Sequence, residues 1–236
     1  MTERATRVPF GAIFDWDGVI IDSAALHERS WHALADEIGK SITPGSFLRG
    51  FGRRNEQIIP EIHGWSQDIS EIARLSERKE ELYRSFLRSA GLAPLSGVRE
   101  FLTALKAAAV PCAVASSTHR LNIDAILELL HLETAFEVIV TAEDVTRGKP
   151  DPEVFLAAAS RLHLPPSSCV VFEDAHAGIA AARAAAMTVV AVTTTHPEGE
   201  LAGADCVVDR LDRFTVNQIQ ELVRQKAAQG ETSVSR

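Results

Sequence analysis

From about residue 95 the chain alternates short, nearly continuous apolar runs with longer stretches of helical periodicity. The runs 112–116, 138–141, 169–172, 188–192 and 206–208 read as strands, and 98–109, 121–130, 152–162 and 175–186 as helices. Strands apolar on both faces suit a parallel sheet covered by helices on both sides. An earlier apolar run, Val8 to Phe14, adds a first strand. The alternation predicts an α/β, doubly wound fold with a parallel sheet.

Residues 23–93 break this rhythm with a stretch too long for an ordinary crossover and without a strand pattern. Ser23 or a neighbour can cap a helix running to Ile38, where Gly39 can stop it. Thr43-Pro44 reads as an N-cap followed by proline at the first helical position. Asp68 or Ser70 begins a long amphipathic stretch to Ser89, with Gly91 beyond it. The expected organisation is an inserted helical cap domain at 22–93 on a core made of 1–21 and 94–228. Its hinges fall at 21–24 and 92–96. The polar stretch 229–236 is expected to be a flexible tail.

Composition narrows the partners. The 236 residues carry a formal net charge of -8, which argues against non-specific nucleic-acid binding. An anionic ligand would need a local cluster of Lys, Arg and backbone N–H groups. Cys112, Cys169 and Cys206 sit in apolar runs and are odd in number, so three free thiols in a reducing cytoplasm are expected. The charged N-terminus lacks a signal peptide's apolar segment, and no run reaches membrane-spanning length. The expected state is a monomer or small homo-oligomer.

Asp15 and Asp17 follow the first strand, and Gly18 ends it. Two carboxylates so placed repel each other, and a hard metal ion with oxygen ligands is the simplest offset. Ser116 ends a second strand and Glu173-Asp174 follow a third. All would fall at the C-terminal edge of the sheet, where ligands bind in open α/β folds. Lys149, in Arg147-Gly148-Lys149-Pro150, precedes a helix and would point its ammonium at the same edge. Taken singly, Asp174 serves equally as a helix cap and Lys149 as a solvated charge.

The segments FDWDGVIIDS, VASST, GKPDP and VVFEDAHAG resemble, in order and spacing, the four motifs of the haloacid dehalogenase superfamily. The resemblance implies a Rossmann-like core with a helical cap and a Mg2+-dependent phosphotransferase. Asp15 would be the nucleophile and Asp17 the acid/base, its pKa raised. Mg2+ would sit on Asp15, Asp17 (through its carbonyl) and Asp174, with Glu173 as a ligand or just behind one. Ser116 and Lys149 would bind the phosphoryl oxygens.

Within the superfamily the chain is most similar to the β-phosphoglucomutase-like group. That likeness implies a place for His27 as the partner of the acid/base at the substrate site and substrate contacts for Arg53 and Lys79 of the cap. Trp31, one turn from His27, reads as cap core, and Arg49 and Arg54 read as surface charges. Where the group carries Ser-Lys-Asn, this chain has Thr118-His119-Arg120 after Ser117. These four residues are the remaining candidates for substrate binding. The altered run departs from the group's bisphosphate-shuttling chemistry. The expected activity is a phosphatase of a small phosphorylated metabolite such as a sugar phosphate, since hydrolysis only has to admit water and demands less of the cap. The alternatives are a phosphomutase and a non-catalytic binding protein on the same fold.

Overall fold

A computed structural model describes residues 10–87 and 90–234 of the chain, with side chains to residue 229. Six parallel strands, β1 (Gly11–Phe14), β2 (Cys112–Ala115), β3 (Val138–Val140), β4 (Cys169–Glu173), β5 (Thr188–Val192) and β6 (Cys206–Val208), form one sheet. Their order is β3-β2-β1-β4-β5-β6. The chain therefore winds outward in both directions from β1, and the switch point lies at β1's C-terminal end.

Side chains alternate across the sheet as strand geometry requires. Phe14 and Phe172 stack at 4.7 Å on one face, with Phe101 and Phe136 edge-on to Phe14. Ile13, Ala113 and Val171 face the other way, toward Phe155 and Ile179. Both faces are thus buried, which explains why the strands lack a polar face in the sequence.

The nine α-helices among the described residues are α1 (Ala24–Glu37), α2 (Ser46–Gly50), α3 (Asn55–Gln57), α4 (Ile69–Leu87), α5 (Val98–Ala107), α6 (Arg120–Leu130), α7 (Glu153–Arg161), α8 (His176–Ala184) and α9 (Val216–Val234). A π-helical turn, Ile58–His63, follows α3. Helices α1 to α4 close over a small core of their own, built from Trp31, Leu34, Ile58, Ile59, Trp65 and Leu75. The two links to the sheet domain run side by side: Ile21 bridges Pro94, and the Leu95 N–H donates to the Ile20 carbonyl at 2.9 Å.

Some local expectations are corrected. Thr43-Pro44 does not open a helix. The Ser46 N–H donates to the Thr43 carbonyl at 3.0 Å, closing a turn, and α2 begins only after Gly45 at φ 73°. Ser23 does not cap α1 with its side chain, because its hydroxyl is committed elsewhere. Asp68 does cap α4, accepting from the Glu71 N–H at 2.8 Å. The helical backbone of α9 continues to Val234, past the expected start of a tail at 229. Ala, Gln and Glu there favour helix, and the single Gly230 costs only about 1 kcal/mol. Val8, Pro9, Ser89, Ser235 and Arg236 lie outside the described residues. No helix among the described residues is long and apolar enough to cross a membrane.

Candidate active site

The C-terminal ends of β1, β2 and β4 deliver Asp15, Ser116 and Glu173-Asp174 to one edge, as the pattern predicts. Asp15 continues the ladder, its N–H donating to the Phe172 carbonyl at 2.9 Å. Lys149 is fully buried, with Nζ 2.9 Å from Asp15 Oδ1 and 2.7 Å from Glu173 Oε1. A buried ammonium between two carboxylates is compensated, and their charges raise its pKa against the opposing effect of burial.

Glu173 has partners on both oxygens. Oε1 takes the lysine, and Oε2 accepts from the N–H groups of Asp174 and Ala175, each at 2.7 Å. Glu173, rather than Asp174, therefore satisfies the backbone entering α8. Two glycines make room for these carboxylates. A Cβ on Gly178 would lie 1.6 Å from Glu173 Oε1, and one on Gly18 1.8 Å from Asp174 Oδ2. Gly18 also sits at φ +80°, where a side chain is strained.

Asp15, Glu173 and Asp174 offer oxygens within 4.8 Å of one another, all buried. Asp174 Oδ1 is buried without a hydrogen-bond partner, and no donor is aligned on Asp15 Oδ1 despite the nearby lysine. Burial, then the charges of Glu173 and Asp15, pushes the Asp174 carboxyl well up. Burial also raises Asp15 to about 7, only partly opposed by Lys149. Orphaned, hard, mutually repelling oxygens fit a divalent cation such as Mg2+. Asp15 and Asp174 can hold it. Glu173 belongs to the same group, with its two oxygens already accepting from Lys149 and from the backbone entering α8.

Asp17 differs from the expectation. Its carboxylate accepts from the hydroxyls of Ser23 and Thr118, and His27 Nε2 lies 3.3 Å away. Burial alone would raise its pKa, but His27 and then the two hydroxyls hold it down to about 2. The shift runs opposite to the expected direction in the ligand-free protein, because His27 and then the hydroxyl donors outweigh desolvation.

The candidate cap residues divide. His27 and Lys79 are buried, with Lys79 Nζ 2.6 Å from His27 Nδ1. An ammonium has no acceptor, so it donates to Nδ1 and leaves Nε2 to carry the proton toward Asp17. The two and Arg53 line a cavity over Asp15 and Asp17, walled also by Trp31, Phe47 and His63. Trp31 is thus both part of the cap's core and part of the cavity wall. Arg53 is paired with Glu61 at 2.5 Å.

Ser117 and Thr118 also line the cavity, but His119 and Arg120 do not. His119 Nδ1 lies 3.1 Å from Glu143, and Arg120 pairs with Asp124 at 2.8 Å. Glu143 accepts from the Arg120 N–H as well, so the N-terminus of α6 already has its anion. In this structure, then, the two are engaged with Glu143 and Asp124 outside the cavity. Arg49 is exposed as expected, but Arg54 is not a free surface charge. It lies along Gly148 and donates to the carbonyls of Val145 and Thr146, tying the segment before α3 to the loop carrying Lys149.

Several participants escaped the sequence reading. Thr195, after β5, donates to Asp174 Oδ2. Glu80 on α4 bonds Lys79, Asn55 and Asn122. Neither carries a local motif. Glu80 sits in a run of charged residues that reads as a solvated face, though burial beside Lys79 is its actual setting.

Residues 12–192 match the family described as haloacid dehalogenase-like hydrolase. The chain is 39% identical over 90% of its length to the chloroplastic 5-amino-6-(5-phospho-D-ribitylamino)uracil phosphatase of Arabidopsis thaliana, and spans 57% of that protein. It is 33% identical to the β-phosphoglucomutase of Bacillus subtilis, over 89% of this chain and 93% of that one. The solved β-phosphoglucomutase of Clostridium difficile superposes with a TM-score of 0.82 at 29% identity, covering 92% of this chain and 98% of that one. The motif match, the sheet order and the carboxylates clustered at its switch point agree: this chain belongs to the haloacid dehalogenase-like hydrolase family.

Proposed function

We propose that this protein is a Mg2+-dependent phosphatase of a small phosphorylated metabolite, acting through a phosphoryl group carried on Asp15. The observation that carries the reading is the buried Asp15–Lys149–Glu173 arrangement beside Asp174 and below the cavity. In this reading the cap is residues 22–93 and moves about its paired links to admit substrate and exclude bulk water.

Mg2+ on Asp15, the Asp17 carbonyl and Asp174 would screen the charge of the incoming phosphate. Lys149 holds a phosphoryl oxygen against Asp15, and the Ser116 hydroxyl is placed to bind another. The Asp15 carboxylate oxygen attacks phosphorus in line as the bond to the leaving oxygen breaks. Asp17 gives that oxygen a proton. Water then attacks phosphorus, Asp17 takes its proton, and the Asp15–phosphorus bond breaks. Held ionised by His27 and its hydroxyl donors, Asp17 is poised for the second role. A phosphate dianion arriving beside it raises its pKa toward the first.

The names of relatives support a phosphatase reading: a phosphatase of a ribityl phosphate, a fructose-1-phosphate phosphatase and a hexitol phosphatase. The likeness to β-phosphoglucomutases supports a mutase instead. Within the structure, the turning of His119 and Arg120 toward Glu143 and Asp124 weighs against a second phosphate site on the core and hence for hydrolysis.

The test is a screen of phosphorylated metabolites, sugar and alditol phosphates first, with Mg2+. Phosphate release should be measured beside isomerisation of β-glucose 1-phosphate primed with the bisphosphate. Fast release without isomerisation is expected. Isomerisation that outruns release would make the protein a mutase, and neither activity on any substrate would leave a binding protein.

A further inference from the structure

A second cluster of ligating side chains stands apart from the cavity. His176 begins α8, and His196 and Glu200 lie on the segment after β5. None of the three lines the cavity over Asp15. One ligand atom from each lies within 4.8 Å of the other two. The imidazole centroids are 4.3 Å apart at 69°. A 3-10 turn at Glu198–Glu200 curls the chain so that Glu200 returns beside His196, four residues earlier.

Existing contacts account for only part of this. His176 Nε2 lies 2.9 Å from the Glu200 carbonyl oxygen, which links the segment to α8. His196 Nδ1 is 3.5 Å from Glu200 Oε2, too long for a strong bond. His176 has a backbone partner on one ring nitrogen, whereas His196 and the Glu200 carboxylate converge without a close bond between them.

We propose that His176, His196 and Glu200 bind a transition-metal ion of the Zn2+ and Co2+ class. Two nitrogen donors and one carboxylate suit such ions and disfavour Mg2+, which prefers oxygen ligands in an octahedron. At bond lengths of about 2.1 Å a tetrahedral site has ligands roughly 3.4 Å apart. Rotation of the exposed His176 and Glu200 side chains toward the largely buried His196 closes the remaining gap. The fourth position is left to water. Because Thr195 precedes His196 and donates to Asp174, an ion here fixes the segment that supports the catalytic carboxylate.

The test is titration of tag-free protein with Co2+ in excess Mg2+, followed by calorimetry and visible absorption. One Co2+ per chain is expected, with affinity falling by more than roughly tenfold in both His176→Ala and His196→Gln, since even residues behind metal ligands cost that much. Binding unchanged in Asp174→Asn would separate the ion from the catalytic carboxylates. Circular dichroism verifies that each variant is folded. No Co2+ bound, or binding lost in Asp174→Asn and kept in both histidine variants, would overturn the site.

Discussion

Glu80 on α4 and Asn122 on α6 share a buried hydrogen bond of 2.5 Å, joining a carboxylate of the cap to an amide of the core. The other Glu80 oxygen accepts from Asn55 at 2.7 Å and from Lys79 at 2.9 Å. Arg84 in turn donates to Asn122 at 3.0 Å. The lysine that orients His27 is thus neutralised by the group that holds the cap against the sheet domain.

Replacing Glu80 by Gln keeps its shape and leaves the Lys79 ammonium buried without a counter-charge. Breaking a buried pair in this way costs ~3–5 kcal/mol. Asn122→Ala should cost less, about 1–3 kcal/mol, as the penalty of an unpaired buried acceptor. Urea denaturation measures both. A Glu80→Gln loss below about 1 kcal/mol would mean that Lys79 finds water or another partner.

Stability should also depend on pH through Glu80. Burial opposes its charge, but Lys79, then His27 and His119, hold the carboxyl at about 2, against an ordinary 4.5. Its folded pKa is depressed, so the stabilisation is complete above about 4.5 and is lost as pH falls toward 2. The gap between wild type and Glu80→Gln should therefore close by roughly 3 kcal/mol across that window. Parallel stability curves for the two proteins would contradict it.

Asp15→Asn should abolish phosphate release without unfolding the protein. Burial already pushes the Asp15 carboxyl up to about 7, so removing its charge should leave metal-free stability equal or higher. Saturating Mg2+ should raise the melting temperature of wild type, a ligand at a hundred times its Kd contributing about 2.7 kcal/mol. Asp174→Asn should lose that rise. Differential scanning calorimetry with and without Mg2+ decides both points.

Gly178→Ala places a methyl group 1.6 Å from Glu173 Oε1, so the Glu173 side chain must swing out of its seat between Lys149 and the start of α8. Displacing Glu173 frees Lys149, so both kcat and stability should fall, the latter by about 1–3 kcal/mol. Gly199→Ala meets nothing within 4 Å and serves as control. Equal behaviour of the two variants would show that Glu173 has room to move.

Arg53→Ala should mainly raise KM for substrates with an anion remote from the reacting phosphate. Glu61, its partner at 2.5 Å, competes for the same guanidinium, so Glu61→Gln should lower KM for those substrates. Steady-state kinetics on substrates with and without the second anion separate this from a structural effect, which would move both alike.

The strand-end residues Asp15, Ser116, Glu173 and Asp174 were legible because a period-two strand between turn residues fixes where its last residue emerges. Lys149 was legible from its short motif. The cap was legible only as an interruption, and its internal turns were misread at Thr43-Pro44, where Gly45 postpones the helix to Ser46. The Asp17 pKa was misread because its donors come from residues 23, 27 and 118, and their convergence outweighs the burial.

The amino-acid sequence by itself determined the order of strands and helices, the carboxylates at one sheet edge and the lysine aimed at them. Each depends on neighbours in the chain and on apolar periodicity. Only the tertiary structure decided which charges are compensated: Glu173 seated against Gly178, Glu80 buried between cap and core, His119 and Arg120 turned away to Glu143 and Asp124. Charge compensation depends on distances of a few ångströms between residues far apart in sequence, and packing sets those distances.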